Sequence, residues 1–191
     1  MLRLDLVVGP NGAGKSTFVE EVLVGDLPPG TSFVNADEIA RRNWPDDPEA
    51  HAYDAARIAA QTRRELIEQG VPFIAETVFS HPSKLELIDN AQAAGYSVFL
   101  RVLVVPEKLA VARVRSRVHA GGHSVPEQKI RERYRRLWPL VASAISHADG
   151  ATVYDNSDIA GPRVIAQFVQ GAPIGAVNWP AWAPTALRST A

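Results

Sequence analysis

The chain has 191 residues, 46% of them apolar and 21% charged, a formal net charge of −1, and no cysteine. That length suits one sizeable domain with a full core, and the composition is that of an ordinary soluble globular protein. The charge excludes a whole-protein field for nucleic acid or an anionic membrane. The missing cysteine excludes disulfides, thiolate metal sites and a thiol nucleophile.

Leu2 to Val8 reads as a short buried strand ending in Gly9. It is too short for a secretory leader, Asp5 interrupts it, and a glycine loop follows at once. Lys15 to Val24 predicts a helix, Gly25 to Gly30 a turn, and Ser32 to Asn35 a second strand. A helix starting at Asp37 is interrupted by Pro45 and Pro48, and Glu49 to Gln69 predicts a longer one stopped by Gly70. Val71 to Ala75 is the third strand, and Ser83 to Ala94 a helix N-capped near Ser83 and closed by Gly95. Ser97 to Val105 is the fourth strand, followed by helices over Glu107 to His119 and Pro126 to His147, with a kink before Pro139. Ala151 to Asp155 is the fifth strand and Val164 to Val169 a last one, with a helix as the alternative; the tail from Gly171 is weakly specified.

Short strands alternating with helices predict an α/β fold, a mainly parallel sheet flanked by helices, as one domain over residues 1–191. In such sheets ligands sit at the carboxyl ends of the strands, and each motif below falls at such an end. No stretch approaches the ~20 apolar residues of a membrane-spanning helix. A cytoplasmic protein without membrane or nucleic-acid partners is expected.

Gly9-Pro10-Asn11-Gly12-Ala13-Gly14-Lys15-Ser16 fits the Walker A pattern of a P-loop, with a strand before and a helix after. The glycines let several backbone N–H groups face one anion, and the helix adds the positive end of its dipole. Lys15 is expected to reach the outer phosphates, Ser16 to give its hydroxyl to Mg²⁺, and Thr17 to meet an inner phosphate. A nucleoside triphosphate is the expected ligand, either ATP or GTP.

Asn35-Ala36-Asp37-Glu38 follows the second strand. A kinase acting on an alcohol needs a carboxylate to orient the hydroxyl and accept its proton, and Asp37 is the candidate. Asp37 also reads as the N-cap of the next helix, with Glu38 complementing its dipole. Glu76 ends the third strand, placed to hold a metal-bound water, orient the base, or bind a substrate hydroxyl or amide. Thr77 and Ser80 are candidates for substrate hydrogen bonds or for the turn before Pro82.

Arg113, Arg115 and Arg117 precede His119-Ala-Gly121-Gly122-His123, and Arg131, Arg133, Arg135 and Arg136 follow. Phosphoryl transfer spreads negative charge over the transferring oxygens, which arginine stabilises with a planar, permanently charged fork. Two such helices across a glycine hinge predict a closing, water-excluding lid over about residues 107–148. His119 and His123 lack a third ligand at a characteristic spacing for a metal site.

This combination of P-loop, Val-Asn-Ala-Asp37, strand-ending Glu76-Thr77, Gly-Gly-His-Ser-Val-Pro126 and Arg133-Tyr134 resembles the zeta toxin family of P-loop kinases, from about Leu4 to Asn156. The resemblance implies an ATP- or GTP-dependent kinase that phosphorylates a hydroxyl of UDP-N-acetylglucosamine or a related nucleotide sugar. It implies that Lys15 binds phosphate, that Asp37 is the base, that Asn35 and Glu76 belong to the substrate site, and that Arg117 and Arg133 steady the phosphates. Asn156, in Asp155-Asn156-Ser157, is similar to the loop on the adenine side of related kinases. An antitoxin protein is the partner such toxins have, although the resemblance does not establish toxicity. Val78 and Ser80 stand where the better-studied toxins carry Thr and Arg, so another small alcohol (a nucleoside, sugar or antibiotic) is the alternative acceptor. A nucleotide-switch module would not need the Asp37, Glu76 and arginine set.

Overall fold

Leu4, Leu6, Val7 and Val8 are fully buried, which makes Arg3–Val8 (β1) an interior strand covered on both faces. The computed structural model describes residues 1–23, 25, 30–119 and 126–190. In chain order the elements are β1, Lys15–Phe18 (α1), Ser32–Asn35 (β2), Ala36–Asn43 (α2), Ala52–Gln69 (α3), Phe73–Thr77 (β3) and Ser83–Ala93 (α4). Ser97–Val104 (β4), Glu107–His119 (α5), Glu127–His147 (α6), Gly150–Asp155 (β5), Arg163–Val169 (β6), Ala172–Pro173 (β7) and Thr185–Arg188 (α7) complete them.

The strands lie in the order β2-β3-β1-β4-β5-β6-β7. The pairs from β2 through β5 are parallel, whereas β6 and β7 add antiparallel. The connection from β1 to β2 runs one way along this order and those from β2, β3 and β4 run the other. Right-handed crossovers therefore put α1 on one face and α2 to α6 on the other. The α/β fold with a mainly parallel sheet is as the sequence predicts, and Val164–Val169 is strand rather than helix. Asp5, buried in β1, is balanced by Arg3 at 2.6 Å and Arg101 at 3.0 Å.

Several details differ from expectation. The first helix widens into a π turn over Val19–Leu23, a deviation that hydrophobic periodicity does not signal. The predicted turn after it falls largely outside the described residues, as does the Gly121-Gly122 hinge with His123. α3 begins at Ala52 rather than Glu49, and its C-cap Gly70 has φ 66, a left-handed conformation glycine adopts freely. Ser83 is not the cap of α4 but its first residue. The cap position is Pro82, which has no side-chain bond to offer, and His81 Nδ1 just before it accepts the Ser83 N–H at 3.2 Å.

Pro139 lies inside α6, on its exposed side, where the carbonyl it leaves free meets water. The second half of that helix is core rather than lid, since Trp138, Val141, Ala144 and Ile145 are buried. The tail is also specified. Leu187 of α7 is fully buried, Trp179 and Trp182 pack on the core, and Asn178 N–H donates to Ile165 O at 2.8 Å.

Candidate functional site

The loop between β1 and α1 has little freedom. Gly12 has φ 78, and a Cβ there would sit 2.5 Å from the Ala110 carbonyl oxygen. Gly14 has φ 83, and a Cβ there would sit 2.7 Å from Asn156 Nδ2. That amide donates to Ala13 O at 2.7 Å, so the loop after β5 is latched directly to the P-loop. Gly9 and Pro10 lead in, and Lys15 Nζ donates to Pro10 O at 3.1 Å across the loop. Asn11 Oδ1 is buried without a hydrogen-bond partner among the described residues. Turned over, the same amide would present N–H to an anion.

Glu76 joins the elements. Its side chain is 8% exposed and lies 3.7 Å from Lys15 Nζ through Oε1. Ser16 Oγ donates to Oε2 at 2.8 Å, and Asn35 Nδ2 donates to the same oxygen at 2.8 Å. The carboxylate is thus balanced by the P-loop lysine and tied to both β2 and α1. The parallel register behind this pairs Val7 with Glu76 and Asn35 with Glu76. Of the roles open to Glu76 in the sequence, this geometry favours those at the phosphate and metal end.

Asn35 is also the N-cap of α2, its Oδ1 accepting the Asp37 N–H at 2.8 Å. The cap is therefore Asn35 and not Asp37, whose carboxylate is left exposed at the start of the helix. Burial pushes the Glu38 carboxyl up against the lowering pull of Arg41, and the Glu76 and Glu20 carboxylates add to the rise. Glu38 thus shares the acidic surroundings of the site, which its sequence reading as a dipole partner did not indicate.

The Thr77 hydroxyl accepts the Phe79 N–H at 3.3 Å, so Thr77 shapes the turn, with Ser80 half-buried beyond it. Phe79 itself is fully buried at φ 62. A bulky residue there is strained, and such strain collects at functional loops. Nothing in the sequence pattern marks it.

Beside the loop lies a cavity of about 250 Å³ lined by Gly14, Thr17, Phe18, Arg113, Asn156 and Ile159, among others. Phe18, Val22 and Ile159 share its walls with the polar Thr17, Glu21 and Asp158. Arg113 donates to Asn156 O at 2.9 Å and so braces that loop, a role the sequence did not assign to it. A cavity of about 610 Å³ between α6 and the tail contains none of the predicted site residues.

Of the seven lid arginines, Arg115, Arg131 and Arg135 are engaged with acids. Arg115 pairs with Glu127, Arg131 with Glu127 at 2.7 Å and Glu107 at 2.9 Å, and Arg135 with Glu107 at 3.8 Å. Arg117 is exposed and Arg133 half-exposed, and neither has an ion-pair partner among the described residues. The structure therefore gathers Lys15, Ser16, Asn35, Glu76 and the Asp37 backbone, with Asn156 latched to the P-loop at Ala13. It does not bring Arg117 or Arg133 into contact with them.

The fold resembles that of the AvrRxo1-ORF1:AvrRxo1-ORF2 structure with sulphate ions, at a TM-score of 0.70 and 13% identity, over 90% of this chain and 60% of that one. The chain thus spans about 60% of the length of that relative. The same assembly solved with ATP matches at a TM-score of 0.57 and 14% identity, over 90% and 60%. The PezAT chromosomal toxin-antitoxin system of Streptococcus pneumoniae matches at a TM-score of 0.63 and 14% identity, over 80% of this chain and 67% of that one. At such identities the likeness shows the fold alone, the mainly parallel α/β arrangement that the sequence implied. An uncharacterized protein of Haemophilus influenzae is 28% identical over 130 residues, 66% of this chain and 88% of its own length. Residues 4–140 match the family model described as the AAA domain, a span that takes in the P-loop, Asp37 and Glu76. The chain belongs to that AAA domain family.

Proposed function

We propose that this protein transfers the γ-phosphoryl group of ATP to a hydroxyl of a nucleotide sugar of the UDP-N-acetylglucosamine class. The observation that carries the reading is the convergence of Lys15, Ser16 and Asn35 on Glu76, with the exposed Asp37 carboxylate at the next helix start. A switch needs only the phosphate cradle, whereas a kinase also needs acids beside it.

In this reading the P-loop amides and Lys15 hold the β- and γ-phosphates, Thr17 meets an inner phosphate, and Asn156 with Arg113 frames the base. The oxygen donors Ser16 Oγ and Glu76 fit Mg²⁺, a hard cation that keeps several waters and uses few protein ligands. Ser16 donates its only proton to Glu76, which leaves its lone pairs for a cation. Bound there, Mg²⁺ would neutralise phosphate charge. Asp37 orients the acceptor hydroxyl and takes its proton as the new O–P bond forms. The bond from the γ-phosphorus to the bridging oxygen breaks, and ADP leaves. Arg117 and Arg133, without acidic partners among the described residues, are available to meet the charge when a lid of α5 and the first half of α6 closes. Asn35, Thr77 and Ser80 border the acceptor. The solved complexes of AvrRxo1-ORF1 with ORF2 and of the PezAT system support an antitoxin-like protein as a partner.

Val78 and Ser80, both half-buried after β3, favour a second acceptor class, since the resemblance expects Thr and Arg there. The test offers purified protein, Mg²⁺ and ATP a panel of UDP-sugars, nucleosides and free sugars, with products read by mass. A gain of one phosphoryl group on the nucleotide sugar is expected. It should be lost in Asp37→Asn with ATP binding retained, and kept in Glu38→Gln. No transfer to any alcohol with intact ATP binding would sink the kinase reading.

A further inference from the structure

The phosphate site makes no use of the cavity of about 610 Å³ between α6 and the tail. Its size falls within the ~300–1,000 Å³ of pockets that take small organic molecules. Tyr134, Trp138 and Trp182 give it an aromatic surface, and Pro106, Pro139 and Pro184 extend the apolar wall. Tyr134 and Trp138 stand edge to face, their ring centroids 5.2 Å apart. A planar ring gains more against such a surface than its buried area alone supplies.

Both walls are held in place. Tyr134 donates its hydroxyl to Val105 O at 2.9 Å, which ties α6 to the chain just after β4. Burial, with the Glu107 carboxylate adding to it, pushes that phenol up to about 12, so the ring stays neutral. On the tail side Arg188 donates to Ala183 O at 3.0 Å and to Ala181 O, gripping the turn that carries Trp182. The fully buried Leu187 fixes α7 to the core. A pocket shaped in advance loses less freedom when it is filled.

Charge around the cavity is unbalanced. Lys108, Arg131 and Arg135 line it, and Glu107 is the acid among the lining residues. Arg131 engages Glu107 at 2.9 Å and Glu127 at 2.7 Å, so its charge is met. Arg135 reaches Glu107 only at 3.8 Å and is 71% exposed. Lys108 is exposed, without a hydrogen bond or ion pair among the described residues. A lone surface cation usually means no more than solubility. Here an ammonium and a guanidinium are left over beside a preformed aromatic hollow. An uncharged ring would leave both unused, and a polyanion would bring more charge than they can meet.

We propose that this cavity binds a planar aromatic monoanion, a small ring system carrying one carboxylate or sulfonate. Its rings lie among Tyr134, Trp138 and Trp182, and its anionic group meets Lys108 and Arg135. The site is separate from the phosphate cradle and stands whether or not the kinase reading does. Its occupant touches α5, α6 and the tail at once.

The full chain is titrated with 1-anilinonaphthalene-8-sulfonate and, in parallel, with N-phenyl-1-naphthylamine, the same ring system without the sulfonate. Fluorescence reads both. The sulfonate should bind at one site per chain, with energy transfer from tryptophan, about tenfold or more tightly than the neutral compound. The double variant Lys108→Glu, Arg135→Glu changes exposed side chains only. It should remove that preference while the neutral compound binds as before. Trp182→Ala should weaken both compounds by about tenfold. Saturating Mg²⁺ and ATP should leave the sulfonate bound. Equal affinity for the two compounds overturns the proposal, as does failure of both to bind. A sulfonate affinity unchanged in the double variant also overturns it. Displacement by ATP does the same, because it puts the probe in the nucleotide site. Sedimentation velocity tests for a second copy in the cavity. A dimer that Trp182→Ala dissociates, and whose formation expels the probe, gives the cavity to that copy and overturns the anion site.

Discussion

Glu76 shows how much one carboxylate can organise. It neutralises Lys15, orients Ser16 and receives Asn35 in a corner where its side chain is 8% exposed. Glu76→Gln keeps the shape and removes the charge. We expect phosphoryl transfer to fall by about 10²–10³-fold with ATP affinity changed far less, read as kcat beside a direct ATP titration. Gly12→Ala meets both a left-handed backbone and the Ala110 carbonyl at 2.5 Å. It should destabilise the fold by about 1–3 kcal/mol, seen as a lower urea midpoint at unchanged m-value. Lys84 gives a pH signature. Its folded-state value of about 8 lies below the ordinary 10.5. Between those values the unfolded chain binds more protons, so stability rises with pH across that window. Below pH 8 the ammonium is charged in both states, and its burial works against folding. Lys84→Met should therefore raise Tm at pH 7 and flatten the alkaline rise, which thermal melts from pH 7 to 10.5 would read.

At the scale of the element, what the sequence revealed is what its neighbours decide. Apolar runs, Gly70 and the proline breaks located the strands and most helices to within a few residues, because those signals are local. The P-loop was legible for the same reason, its glycines and Lys15 being one contiguous turn. The meeting of Glu76 with Ser16 was not, since 60 residues separate them and only strand order brings them together. The cap of α2 had a readable signal in Asn35, as good a cap as aspartate, but the reading settled on Asp37. Asn35→Ala removes that cap and a partner of Glu76, so a loss of about 1 kcal/mol in chemical unfolding should accompany reduced transfer. The tail lacks periodicity and was read as weakly specified, although Trp179 and Trp182 pack on the core. Its anchor is Leu187, fully buried in the four-residue α7. Leu187→Ala should cost about 2–5 kcal/mol, measurable by urea denaturation, from a helix too short to stand without that contact.

Across the whole molecule, Lys15, Ser16, Asn35, Asp37, Glu76 and Asn156 come from the carboxyl ends of β1, β2, β3 and β5, which is where a sheet of this order leaves a crevice. ATP with Mg²⁺ at a hundred times its Kd should stabilise the fold by about 2.7 kcal/mol, and Lys15→Ala should abolish that rise in Tm. The latch from Asn156 to Ala13, with Arg113 of α5 holding the Asn156 carbonyl, ties three distant stretches of chain into one circuit. Through it the P-loop, the loop after β5 and α5 cannot move independently. A base that orders the loop after β5 thereby orders α5, and by thermodynamic reciprocity whatever settles α5 tightens the base by the same factor. Under the proposed function, nucleotide identity sensed at one end of that circuit would be felt as lid position at the other.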